Sequence, residues 1–147
     1  VIKTSIVIIG AGPAGCTCAL ALAKKNIPST VIDQSSFPRD KICGDALSGK
    51  VVLSLKKIDE QLVNQLAKNA NVIPSHGVTF VAPNGKKLNL PFRKVKDELN
   101  PPGFISKRID FDNWLFEEVA KEPLITIKTN FRIDDFEKQM DGWKLSN

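Results

Sequence analysis

The chain has 147 residues, with 21 Lys and Arg against 16 Asp and Glu, for a formal net charge of +5. That is the length of one ordinary domain, and 42% hydrophobic content is enough for a core. No 18-residue apolar run is present, which excludes a membrane-spanning helix, and a single histidine, His76, excludes a multi-histidine metal site. The densest basic patch, Lys86, Lys87, Arg93, Lys94 and Lys96, is broken by Leu and Pro and lacks stacking aromatics. It reads as a solvated face, so no nucleic-acid partner is expected. Cys16, Cys18 and Cys43 have neither metal-ligand spacing nor a disulfide framework, so no metal is expected and a reducing cytoplasm is the natural location.

In chain order, Ile6-Val-Ile-Ile9 is a short run of β-branched residues suited to a strand buried on both faces of a parallel sheet. It stops at Gly10-Ala11-Gly12-Pro13-Ala14-Gly15, which has the G-x-G-x-x-G spacing. Gly10 permits the tight turn, Gly12 lets the backbone approach a pyrophosphate, and Gly15 lets the following helix pack against the strand. Pro13 suits a first helical turn, and a helix start offers N–H groups and a positive dipole end to phosphate. The Ala/Leu-rich stretch from Cys16 to Lys25 reads as that helix, ended by Asn26 and Pro28. Ser29 to Asp33 reads as a second strand. Asp33 stands 18 residues past Gly15, where an acid can accept hydrogen bonds from an adenosine ribose. Strand, glycine turn, helix, strand and acid in this order predict an α/β, Rossmann-like dinucleotide-binding fold.

Residues 34–49 read as a long loop of the kind that carries function. Lys50 to Ala70 reads as helix, with Asp59 as a break, and Asn71 to Gly77 as a turn region. Val78 to Ala82 and Lys87 to Pro91 flank Asn84-Gly85 and predict a hairpin. Residues 93–103 read as a connector, so 72–103 form an inserted hairpin with its connector. Asp110 or Asp112 is expected to cap a helix that contains Trp114, Leu115, Phe116 and Val119 and ends at Pro123. Leu124 to Thr129 is the third parallel-strand candidate, and Phe131 to Glu137 with Trp143 to Leu145 a second hairpin around Asp141-Gly142. A hairpin ending at Asn147 suggests the front part of a longer protein. Apolar surface near Val7, Ile32 and Ile127 is then expected to be unusually exposed.

The segment Phe37-Pro-Arg-Asp-Lys-Ile-Cys-Gly-Asp-Ala-Leu-Ser48, following a glycine fingerprint, resembles the geranylgeranyl reductase family. That family sits in a wider group of FAD-dependent reductases, aromatic monooxygenases and flavin halogenases. Arg108-Ile-Asp-Phe-Asp112-Asn-Trp-Leu115 is similar to the group's R-x-x-F-D-x-x-L segment. The resemblance implies an FAD-binding fold in which Gly10, Gly12, Pro13, Ala14 and Gly15 hold the pyrophosphate. Asp33, with Gln34 beside it, would take the adenosine ribose. It places Arg39 toward the phosphates, and Cys43, Gly44, Asp45 and Ala46 along the ribityl chain. Arg108 would reach ribityl and pyrophosphate, and the backbone near Arg132 and Ile133 would touch adenine. Alternatives stay open: Arg39 as a surface cation, Arg108 as an ion-pair partner, Asp112 as a cap, Cys43 as a small buried hydrophobe rather than a functional thiol. The family's later Asp-Gly strand and distal Gly-Asp motif have no counterpart in these 147 residues, so half of an FAD site is expected here.

By the same resemblance the chemistry is flavin-based: NAD(P)H reduces FAD, and a hydride passes to an isoprenoid-type double bond. Cys43 is then a candidate for tuning or proton delivery. The rivals are an oxygen-using monooxygenase or halogenase and a non-catalytic nucleotide-binding module. A small apolar substrate is the expected partner. A peripheral membrane contact and the oligomeric state stay open.

Overall fold

The computed structural model describes residues 3–92 and 101–147. Its elements in chain order are β1 (Val7–Ile9), α1 (Pro13–Ala23), β2 (Ser29–Ile32), β3 (Ala46–Leu47), α2 (Gly49–Ile58) and α3 (Glu60–Lys68). They continue with β4 (Val72–Ser75), β5 (Gly77–Val81), β6 (Lys87–Pro91), β7 (Gly103–Ser106) and α4 (Arg108–Ala120). The last are β8 (Ile125–Lys128), β9 (Asp135–Gln139) and β10 (Gly142–Ser146). The chain forms two compact units, one of residues 1–41 with 109–147 and the other of residues 42–108.

In the first unit β1, β2 and β8 form a parallel sheet in that order, with Ile9 opposite Ile32 and Ser29 opposite Ile125. These are the three parallel strands expected from the sequence, and the fold is Rossmann-like α/β. β2 runs between two strands and is buried along its whole length. The outer strand β1 leaves Val7 36% and Ile9 65% exposed. The expected exposure is therefore met at Val7 but not at Ile32, which lies on the central strand and is buried, while Ile127 is half-buried. Small residues let α1 lie close to the sheet: Cys16, Ala19, Leu20 and Ala23, spaced three and four apart, are its buried positions. Phe111, Trp114, Leu115 and Val119 of α4 are buried in the same way. The closing hairpin starts at Asp135, later than the expected Phe131. Phe131 instead donates its N–H to the Asp33 carbonyl at 3.1 Å and receives Lys128 Nζ over its ring at 3.7 Å. On that hairpin Trp143 is exposed and meets Phe136 edge-on.

The second unit holds α2 and α3, the hairpin of β5 and β6, and an antiparallel sheet in the order β3-β7-β4. Asp59 breaks the helical stretch as expected: its backbone is extended and its side chain accepts the Gln61 N–H at 2.9 Å. Gly85 takes φ +80 in the Asn84-Gly85 turn. Three strands correct the sequence reading. β3 interrupts the 34–49 loop, β4 replaces the Asn71–Gly77 turn, and β7 lies in and beyond the stretch read as connector. Phe104 of β7 is 1% exposed, so this segment packs. Residues 93–100 of that connector, with Arg93, Lys94 and Lys96 of the basic patch, lie outside the described residues. Pro74 is tolerated because β4 is the outer strand, where a missing N–H costs no ladder bond.

The expected cap at Asp110 or Asp112 is also corrected. α4 begins at Arg108, which puts Asp110 in its first turn and Asp112 inside the helix, 1% exposed. The Arg108 N–H is instead accepted by the Asp45 carboxylate at 3.2 Å, and the Ser106 N–H by the Asp45 carbonyl at 2.9 Å. A loop residue 63 positions earlier in the chain thus satisfies the helix start.

Candidate functional site

The turn between β1 and α1 is built from what its glycines lack. Gly10 has φ +99, a conformation L side chains rarely adopt, and its N–H is tied to the Ile32 carbonyl at 2.7 Å. A Cβ on Gly15 would stand 1.8 Å from the Gly10 carbonyl oxygen, so only glycine lets α1 close on the turn. A Cβ on Gly12 would lie 3.0 Å from Nη2 of Arg39, and that guanidinium covers the bare side of the turn. Gly12 is the N-cap of α1, with Pro13 following; it gives no side-chain cap, and no acidic residue lies in the first turn. Neither a cap oxygen nor a first-turn carboxylate offsets the positive end of the helix, with Ala14 and Gly15 in its first turn.

Beneath the turn, the buried Cys16 thiol donates to the Ala11 carbonyl at 3.1 Å. Burial pushes its pKa up to about 12, helped by the negative charges of Asp112 and Asp33 and opposed by Arg39. This thiol is structural.

Asp33, at the end of β2, is 7% exposed. Its Oδ2 accepts the Ala11 N–H at 2.7 Å and its Oδ1 the Ser35 N–H at 2.8 Å. The carboxylate is a strut that ties the glycine turn to the end of β2; Gln34 beside it is exposed.

Arg39 is not a free surface cation, since its side chain is only 19% exposed. Nε lies 3.9 Å from Asp33 Oδ2 and Nη2 lies 3.8 Å from Asp112 Oδ2. Cζ stands 5.2 Å from the centroid of the Phe37 ring, which stacks on Phe116 of α4 at 4.2 Å with an interplanar angle of 1°. Nε is buried and makes no hydrogen bond. Nη2 and the N-terminus of α1 lie at one place, over Gly12, and suit a phosphate. The contact of Arg39 with Asp112, which joins the two segments that carry the family resemblance, and the Phe37–Phe116 stack beside it were missed in the sequence.

In the second unit Cys43, Gly44 and Ala46 are exposed, so Cys43 is not a buried small hydrophobe. Asp45 holds the start of α4 as described, and Arg108 is half-buried. In the first unit Ile133 is half-buried and the exposed Arg132 pairs with Asp134 at 2.7 Å. Among the described residues no group of three or more His, Cys, Asp or Glu could hold a metal ion. A groove of about 550 Å³ is lined by Lys3, Val7, Ile32, Phe131, Trp143 and Lys144 among others, and none of the residues expected to contact the cofactor lines it.

A family profile described as pyridine nucleotide-disulphide oxidoreductase matches residues 4–102. The menaquinone reductase of Mycolicibacterium smegmatis is 39% identical over 56 residues, covering 38% of this chain and 14% of that protein. The geranylgeranyl diphosphate reductase of Rhodobacter capsulatus is 25% identical over 121 residues, covering 81% of this chain and 26% of that protein. The crystal structure of a flavoprotein/dehydrogenase from Cytophaga hutchinsonii matches the fold with a TM-score of 0.79 at 18% identity, over 99% of this chain and 37% of that one. The chain spans well under half the length of each of these relatives. With a glycine turn, a buried acid after β2 and a matching profile over two thirds of its length, the chain belongs to the pyridine nucleotide-disulphide oxidoreductase family.

Proposed function

We propose that the glycine turn binds the pyrophosphate of FAD, and that the chain is the cofactor-binding part of a reductase acting on an isoprenoid-type carbon–carbon double bond. One observation carries the binding reading: the half-buried Arg39 guanidinium stands with Nη2 over Gly12 at the start of α1. Gly10, Gly12, Pro13, Ala14 and Gly15 form the phosphate cradle, and Arg39 supplies the cation. Asp33 offers further acceptor capacity to the ribose, since each carboxylate oxygen can accept more than one hydrogen bond. Gln34 beside Asp33 and the backbone at Ile133 border the adenosine in this reading. The assignments of Cys43, Gly44, Asp45, Ala46 and Arg108 to the ribityl side rest on the sequence resemblance alone. Similarity to a geranylgeranyl diphosphate reductase and to a menaquinone reductase is consistent with the reductase reading, and the oxygen-using alternative rests on similarity to a squalene epoxidase and a brominase.

Bound FAD would supply two-electron chemistry, with NAD(P)H as the proposed donor. The chain's own residues bind and orient the cofactor. The test is anaerobic reduction of the flavin-loaded full-length protein with NADPH, then addition of a polyprenyl substrate. Substrate-dependent flavin reoxidation with gain of two hydrogens per saturated bond is expected. No substrate-dependent reoxidation in the anaerobic assay, with rapid NADPH-dependent peroxide formation once air is admitted, would refute the reductase reading.

A further inference from the structure

We propose that Asp112 is a positioning residue that holds the Arg39 guanidinium over the glycine turn, where it meets the phosphate of a bound dinucleotide; this rests on the binding reading above. A loop arginine has many rotamers, and fixing one opposes binding. Here the fixing is done by the fold. Asp112 Oδ2 lies 3.8 Å from Nη2, while Phe37, itself stacked on Phe116, lies under the guanidinium. Asp112 and Phe116 are four residues apart, so one face of α4 brackets both Phe37 and Arg39.

Asp33 also faces the guanidinium, 3.9 Å from Nε, while its oxygens accept the Ala11 and Ser35 N–H groups. Asp112 is 1% exposed in the middle of a helix, a place where a carboxylate is costly without a cation. Both ion contacts of Arg39 are longer than a hydrogen bond. The guanidinium is thus held by charge and stacking, with Nε buried on the Asp33 side and Nη2 over Gly12.

The experiment measures ADP and adenosine binding by calorimetry for the parent, Asp112→Asn, Arg39→Ala and the double variant. Asp112→Asn should weaken ADP about tenfold and adenosine less than about twofold. In the Arg39→Ala background it should change ADP binding less than about twofold. Equal losses for ADP and adenosine, additive losses in the double variant, or tighter ADP binding by Asp112→Asn overturn the proposal. If the parent binds ADP and Asp112→Asn changes nothing, this inference fails alone. If the parent binds neither ligand, the binding reading fails and takes the inference with it. Should Asp112→Asn not fold, the parent decides by ¹⁵N NMR: the Arg39 Nε–H should exchange slowly with water and shift on adding ADP. Fast exchange without an ADP shift overturns the proposal.

Discussion

Asp33→Asn tests whether the acid after β2 supports the glycine turn as well as facing a ligand. The two carboxylate oxygens accept separate backbone N–H groups, from Ala11 at 2.7 Å and Ser35 at 2.8 Å. Asparagine has one oxygen, so in either amide orientation one of these N–H groups faces an NH₂. A hydrogen bond to a buried charged acceptor is worth about 1.5–3 kcal/mol, and Arg39 also loses a countercharge at 3.9 Å. A destabilisation of about 2–3 kcal/mol is expected. Unfolding entropy of about 2.1 cal/mol/K per residue gives about 0.3 kcal/mol/K for this chain, so Tm should fall by about 7–10 °C. Calorimetric melting of parent and variant at neutral pH, without nucleotide, measures this directly. A fall below about 2 °C would refute the strut, because the turn would then hold its shape without that carboxylate.

Gly15→Ala puts a Cβ 1.8 Å from the Gly10 carbonyl oxygen, a backbone atom that cannot swing away. It should cost about 3 kcal/mol by denaturant titration, and a change under about 1 kcal/mol would mean that the turn and α1 separate freely. Gly12→Val places its branched side chain where Arg39 Nη2 now lies, so in the full-length protein it should abolish FAD retention while the fold stays intact; flavin absorbance after desalting reads the result. Near neutral pH a thiol reagent should modify the exposed Cys18 and Cys43 quickly and Cys16 only on unfolding, as peptide mapping would show. The Cys16 thiol stays protonated in the fold up to about 12, against about 9 when unfolded. Its contribution to stability is therefore full below about pH 9 and lost as pH rises toward 12, so the parent should lose more stability than Cys16→Ala over that window.

The β1–turn–α1–β2 unit was legible because every instruction for it is local: a β-branched run, glycines at fixed offsets, a proline at N1 and an acid at the next strand end. Asp59 was legible for the same reason, since its cap acts two residues away. β3, β4 and β7 were not, because each is short, Pro74 within β4 and Pro101-Pro102 before β7 mimic loop signals, and their pairing joins distant residues such as Val72 with Ser106. The helix start was misplaced because the group that satisfies it, Asp45, is remote in sequence. At the candidate site, Gly12, Asp33 and Arg39 were nominated from spacing and resemblance, and the fold brings them together. That Arg39 leans on Asp112 could not, since an aspartate near a helix start has the same signature whether it caps or meets a cation from another segment.

The pairing of β3 with β7 bears on the order of folding. β2 and β8 are neighbours in the sheet, yet about ninety residues of chain separate them. β1, α1 and β2 close over a short stretch and can assemble first. Once residues 42–108 fold, Ala46 stands opposite Ile105, and the open loop between β2 and β8 shrinks to about thirty-five residues. By the logarithmic dependence of closure entropy on length, that shortcut lowers the cost of docking β8 by about 0.9 kcal/mol, or about fourfold in rate if closure is limiting. Stabilising β7 should then speed the arrival of β8, although the two strands lie in different sheets.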